Sequence, residues 1–190
     1  MTNIALGTAH SRENCMERIM VALDGSEHSD KALDLASDIA AKSGAELVLL
    51  HVISDKPLTD AERHMAEVEY LDEIVGSLDL LQVEPGGDPQ TRAQRVLQHY
   101  ADVTHRVREA MGRQLLSRAR ARARERGARS VQMVIEDGDP ASTILRLAKG
   151  LHVDMLFLGS RGLGDAKGLL LGSVSHKVAH LAECTCVSVK

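Results

Sequence analysis

Between Leu158 and Ser175 the chain reads Leu-Gly-Ser-Arg-Gly-Leu-Gly-Asp-Ala-Lys-Gly-Leu-Leu-Leu-Gly-Ser-Val-Ser, and the chemistry open to such a segment is anion binding. It leaves an apolar run and ends where a helical pattern begins. Glycines tolerate positive φ and let backbone N–H groups come close to a ligand. Gly172, Ser173, Val174 and Ser175 would then offer amides and hydroxyls at a helix N-terminus, where a phosphate is stabilised by unpaired donors and by the helix dipole. An ordinary strand-to-helix loop has the same composition, so loop chemistry alone leaves both readings open. Two common phosphate motifs are excluded. A Walker A loop needs G-x-x-x-x-G-K-[ST], whereas Lys167 here precedes Gly168. The dinucleotide pattern G-x-G-x-x-G starts at Gly162 and Gly164 but meets Lys167 at its third glycine, and it follows the fourth strand instead of the first.

Asp24 is the second candidate. It ends an apolar run and precedes Gly25, so it is either a ligand-facing carboxylate at a strand end or a plain turn residue. Ser26 and Ser29 fit helix capping better than catalysis, and Asp139-Pro140 reads as an N-cap followed by proline at the first helical position. His176 reads as a solvent-facing or packed histidine, with no second group placed to orient it as an acid or base. His51, in an otherwise apolar strand, reads as a hydrogen-bonded histidine. Cys184 and Cys186 supply two thiols, short of the four ligands of a structural zinc. No catalytic residue and no metal ligand is assigned. Arg118, Arg120, Arg122, Arg124 and Arg126 alternate with other residues, and at helical spacing they scatter around the axis instead of forming one stripe, which favours a solvated face.

The elements that must position these residues alternate. Arg18 to Asp24 is expected as a buried strand, followed by a helix capped at Ser26 or Ser29 that runs to about Lys42 and stops at Gly44. Glu46 to Val52 reads as a second strand. Residues 54–99 break the rhythm with an acidic stretch and Glu84-Pro-Gly-Gly-Asp-Pro89, and are expected to be an insertion of one or two short helices and a loop. A helix from about Asp102 to Arg126, a strand Ser130 to Ile135, a helix Ala141 to Lys149 and a strand Val153 to Leu158 follow. A helix from Ser173 to Leu181 and a strand Thr185 to Val189 complete the chain. Strands alternating with helices imply an α/β fold: parallel strands with right-handed crossovers, forming a doubly wound open sheet with helices on both faces.

Composition bounds the rest. The 190 residues suffice for one well-filled core, 44% are hydrophobic and 26% charged, and aromatics are only 2%, so the core must be aliphatic. Few aromatics and a net charge of −4 argue against nucleic-acid binding. No apolar run approaches the roughly 20 residues of a membrane span. The polar stretch 1–15 lacks the apolar run of a signal peptide, and three cysteines form no disulfide framework, so a cytoplasmic protein is expected.

Four motifs in order resemble one family. Gly159-x2-Gly162-x9-Gly172-Ser173 is similar to the G-x2-G-x9-G-[ST] signature of ATP-binding universal stress proteins. Ile19 to Ser29 followed by Ala32-Leu33, Val48 to Val52, and Glu136 to Ala141 resemble that family's first strand and turn, second strand, and third strand end. The resemblance covers segments 17–53 and 100–190. It implies a five-stranded sheet of order 3-2-1-4-5, in which strands 1 and 4 meet at the switch point where open α/β sheets bind ligands. It also implies that Ala22 and Asp24 lie near base and ribose, and Val52 near the adenine through its backbone. Gly159, Arg161, Gly162, Gly172, Ser173 and Val174 would hold ribose and phosphates, with Ser175 a further candidate. ATP is the implied ligand, with Mg²⁺ carried largely on the phosphate oxygens. A homodimer through the C-terminal strand is implied as well. Residues 1–15 are expected to be a disordered extension and 16–190 the nucleotide-binding domain. The expected function is an ATP-binding regulatory module with little or no hydrolysis, because no base for water activation is evident. The alternatives are a nucleotide-free interaction scaffold acting through the insertion, or a slow ATP-using enzyme. The glycine-rich loop that marks the pyrophosphatase-type relatives is missing at Leu23 to Ser29.

Overall fold

The computed structural model describes residues 16–54, 89–162 and 172–190. The expected extension at 1–15, most of the expected insertion and the middle of the glycine segment lie outside the described residues. The chain forms β1 (Arg18–Ala22), α1 (Glu27–Ser43), β2 (Glu46–Ile53), α2 (Pro89–Glu125), β3 (Val131–Asp137), α3 (Pro140–Gly150), β4 (Met155–Gly159), α4 (Ser173–Leu181) and β5 (Thr185–Val189). All neighbouring strands are parallel, in the order β3-β2-β1-β4-β5.

Alternation along the strands builds two cores. Ile19, Val21, Leu47, Leu49 and Phe157 face α1 and α2, meeting Leu33, Ala36 and Ala40 on the first and Leu116, Ala119 and Ala123 on the second. Met20, Val48, Leu50, Leu156 and Leu158 face the other way, onto Ala141, Ile144 and Ala148 of α3 and Val178 of α4. Because β1, β2 and β4 are covered on both sides, they read as continuous apolar runs. Helices on both faces of one parallel sheet complete the doubly wound architecture.

Local chemistry bounds α1 and starts α3 where the sequence signals it. Ser26 caps α1, its hydroxyl accepting from the Ser29 amide at 3.2 Å. Gly44 closes that helix in the left-handed conformation at φ 76°, its N–H donating to Ala40 O. Asp139 caps α3 ahead of Pro140.

One boundary differs from expectation. α2 begins at Pro89, not near Asp102, so residues 89–99, read from sequence as part of the insertion, are the first turns of a 37-residue helix. Proline is tolerated in a first helical turn, where its missing N–H has no intrahelical acceptor, and the Gln, Arg, Ala and Leu residues that follow favour helix. A strongly polar helix face carries no apolar periodicity, so the sequence pattern did not reveal it.

The arginine run scatters as expected, but two members are not merely solvated. Arg122 makes paired 2.6 Å bonds to both carboxylate oxygens of Asp34 on α1, and Arg126 bonds Asp38 at 2.8 Å and Asp34 at 2.9 Å. These bridges bind α2 to α1. The Asp34 carboxyl is held below its ordinary range, first by the bond from Arg122.

Candidate functional site

Sheet order decides what meets. With β1 and β4 adjacent and the helices that follow them on opposite faces, their carboxyl ends form the switch point at which open α/β sheets hold ligands in a crevice. Ala22, at the end of β1, is level with Leu158 on one side and Leu50 on the other, and is half-buried. The ladder continues one step beyond the strand, with Leu23 N–H donating to Leu50 O at 2.8 Å. The chain then turns. Asp24 is exposed, and its carboxylate accepts the Ser26 amide at 3.0 Å, while Gly25 takes φ 82°, a conformation that favours glycine.

The β4 side of the crevice is fitted closely against this turn. At Gly159 a Cβ would lie 2.8 Å from the Ser29 amide nitrogen and 2.9 Å from the His28 carbonyl carbon, so the first turn of α1 passes directly over it. At Gly162 a Cβ would lie 2.6 Å from Oδ2 of Asp24. Two motifs more than 130 positions apart in the chain are thus in contact. Ser26 adds a bond from its hydroxyl to the Arg161 carbonyl at 3.2 Å.

The first turn of α4 completes the arrangement. Gly172 N–H donates to Ser160 O at 2.7 Å, which sets the helix start beside the end of β4. Gly172 is the N-cap, and among the described residues no side chain caps the helix. The amides of Ser173, Val174 and Ser175 therefore head a helix whose N-terminus has no side-chain acceptor among the described residues, and such donors suit an anion. Ser175 contributes differently from its neighbours. Its buried hydroxyl donates to Gly159 O at 2.9 Å, so it braces the loop and leaves only its amide facing outward chemistry. Ser173 is exposed, and Val174 is half-buried.

Val52 lies one residue from the end of β2, half-buried and level with Glu136 on β3. Nearby, His51 Nδ1–H donates to Leu23 O at 2.8 Å, the hydrogen-bonded state expected for it, and its ring lies against Gly112 of α2. Ala22, Asp24, Val52, Gly159, Arg161, Gly162, Gly172, Ser173, Val174 and Ser175 all belong to the carboxyl ends of β1, β2 and β4 or to the start of α4.

Three positioning residues escaped sequence reasoning. Ser26 was read as a cap, and it is one, yet it also ties the two loops. His28 lies 3.4 Å from the Ser160 hydroxyl and packs on Gly159. Ser160 is buried, donates its N–H to Val189 O at 2.6 Å and accepts from Gly172, so it links β5, β4 and α4. Its place between Gly159 and Arg161 was the available signal.

Among the described residues no group of three or more His, Cys, Asp or Glu side chains could hold a metal ion. Nor, among them, is any helix long and apolar enough to cross a membrane. Burial pushes the thiols of Cys184 and Cys186 above the ordinary range, which suits packing more than ligation.

Comparison with known proteins follows the same lines. The sequence profile of the universal stress protein family matches residues 16–190. The universal stress protein YxiE of Bacillus subtilis is 31% identical over 91% of this chain and 98% of its own length. Among solved structures, a universal stress protein in complex with cAMP is similar at TM-score 0.55 and 23% identity, over 92% of this chain and 97% of its own. The universal stress protein from Archaeoglobus fulgidus in complex with dAMP is similar at TM-score 0.53 and 16% identity, over 93% and 99%. At these identities the two structures establish the shared fold.

Proposed function

The chain belongs to the universal stress protein family, and from that premise we propose that its β1/β4 crevice binds ATP, or a close adenine nucleotide, as a regulatory module with little or no hydrolysis. The observation that carries this reading is the contact of Gly162 with the Asp24 carboxylate, together with a helix N-terminus at Gly172 that no side chain caps among the described residues. Support also comes from the adenine nucleotides, cAMP and dAMP, held by two proteins of this fold. Ala22 and Asp24 take the base and ribose side, and the backbone of Val52 faces the adenine. Gly159, Arg161, Gly162, Gly172, Ser173 and Val174 hold ribose and phosphates, joined by the amide of Ser175.

Mg²⁺ would accompany the triphosphate on phosphate oxygens, because the described residues supply no cluster of carboxylates for it. Hydrolysis is slow in this reading. Asp24, the carboxylate at the crevice, is committed to the Ser26 amide, and among the described residues no second side chain orients it toward a water. We further propose a homodimer joined through the outer edge of β5, and a cytoplasmic location. Sedimentation at several concentrations and cell fractionation test these two points; a concentration-independent monomer or a membrane-pelleting protein would remove them.

The deciding experiment is to denature freshly purified protein, identify any released nucleotide by chromatography, and titrate the stripped protein with ATP and Mg²⁺. Stoichiometric adenine nucleotide is the expected result. A protein that carries none and ignores added ATP would overturn the reading in favour of a scaffold acting through residues 54–99. Rapid release of phosphate or pyrophosphate would replace the regulatory reading with an enzymatic one.

A further inference from the structure

The outer face of α4 carries chemistry that the crevice does not use. The helix buries Ser175 and Val178 and leaves His176 and His180 exposed. Residues four apart on an α-helix lie one above the other on the same face, with Cβ atoms about 5–6 Å apart. From that spacing two imidazoles reach a single metal ion, as the two histidines of a helical H-E-x-x-H motif do. Among the described residues neither imidazole is engaged by a hydrogen bond or an ion pair. Lys177, between them in sequence, would repel a cation if its ammonium lay alongside. Its Nζ is instead drawn toward α3, 3.3 Å from Asp139 Oδ1 and 3.5 Å from Ser142 Oγ.

We propose that His176 and His180 form a two-imidazole site for a late divalent transition metal ion on the exposed face of α4. The chemical class follows from the ligands. Imidazole nitrogen suits Ni²⁺, Cu²⁺ and Zn²⁺, whereas Mg²⁺ and Ca²⁺ require oxygen donors. The site is therefore separate from any Mg²⁺ carried by a nucleotide, and it stands whether or not the crevice binds one. No third ligating side chain joins the pair among the described residues, so water completes the coordination and binding is weaker than at a four-ligand structural zinc. Protons and metal compete for the same imidazole nitrogens, so binding weakens in acid.

The test is a calorimetric titration of the full, nucleotide-stripped chain with NiCl2 at about pH 7.5 and about pH 5.5. It compares wild type, His176→Ala, His180→Ala and the double variant. Each single substitution is expected to weaken Ni²⁺ binding by about tenfold or more and the double by no more than either, because chelation needs both rings. Binding should weaken at the lower pH, and MgCl2 should give no heat. Both side chains are exposed, so metal-free melting temperatures should be unchanged, which separates loss of ligation from loss of fold. A single variant with wild-type affinity would overturn the proposal. Substoichiometric Cu²⁺ gives an independent readout in NMR: the ring signals of His176 and His180 should broaden together. Earlier broadening of any other of the nine histidines would overturn the site as well.

Discussion

Gly159 is where the crevice leaves least room. A side chain there meets the backbone of Ser29 and His28 below 3.0 Å, and backbone at a helix start cannot swing aside. Gly159→Ala should therefore cost about 1–3 kcal/mol, the usual price of overpacking, visible as a lower urea midpoint at unchanged slope. Gly162 is under a different constraint. The atom it would meet is the end of the Asp24 side chain, which can rotate away. Gly162→Ala is expected to lower the urea midpoint less than Gly159→Ala while displacing the carboxylate from the Ser26 amide. On the proposed reading, ATP affinity then falls by about tenfold, the scale of a lost charge-assisted hydrogen bond. Equal losses of stability in both variants would show that the two glycines share one packing role.

At the scale of elements, caps and bridges set how the helices are seated. Asp139 accepts from the Ser142 amide at 3.0 Å and its hydroxyl at 2.6 Å, with Lys177 of α4 nearby, and its pKa is lowered to about 2. The folded value lies below the ordinary one, so this carboxylate contributes stability above the ordinary range and loses it as pH falls toward about 2. Asp139→Asn keeps a good capping residue but removes the charge. Its melting temperature should trail wild type at neutral pH and converge with it in strong acid, as followed by circular dichroism. The α1–α2 seam makes a parallel case. Asp34→Ala leaves Arg122 and Arg126 without their shared acceptor and should destabilise by about 1 kcal/mol, less at high salt, in urea titrations.

For the whole molecule, the two aliphatic cores share the central strands. Ile19, Met20 and Val21 of β1, Leu47 to Leu50 of β2 and Leu156 and Phe157 of β4 are fully shielded, whereas β3 keeps Met133 at 41% exposure and β5 is only half-buried. Amide hydrogen exchange should accordingly be slowest in β1, β2 and β4 and faster in β3. If β5 pairs with a second copy, its amides should be protected more at high protein concentration than at low. Concentration-independent exchange in β5 would argue against that edge as the dimer contact.

The alternation of apolar runs with capped helical stretches was readable because hydrophobic periodicity, Gly44, Asp139 and Pro140 act over a few residues. That local information determined the element sequence, the doubly wound class, Asp24 and the Gly172 to Ser175 helix start as candidates; the family resemblance supplied the strand order and the remaining candidate residues. The start of α2 was not readable. A long polar helix has no apolar stripe, and it is the packing of its later turns on β2 and β3 that extends order back to Pro89. Contacts between distant segments were equally out of reach. The closeness of Gly162 to Asp24 and the bracing role of Ser175 arise only when β1 and β4 pair. So does the pairing of Arg122 and Arg126, from the arginine run, with carboxylates of α1. Sequence spacing specifies which way a side chain faces on its own element; only the packed tertiary structure decides what stands opposite it.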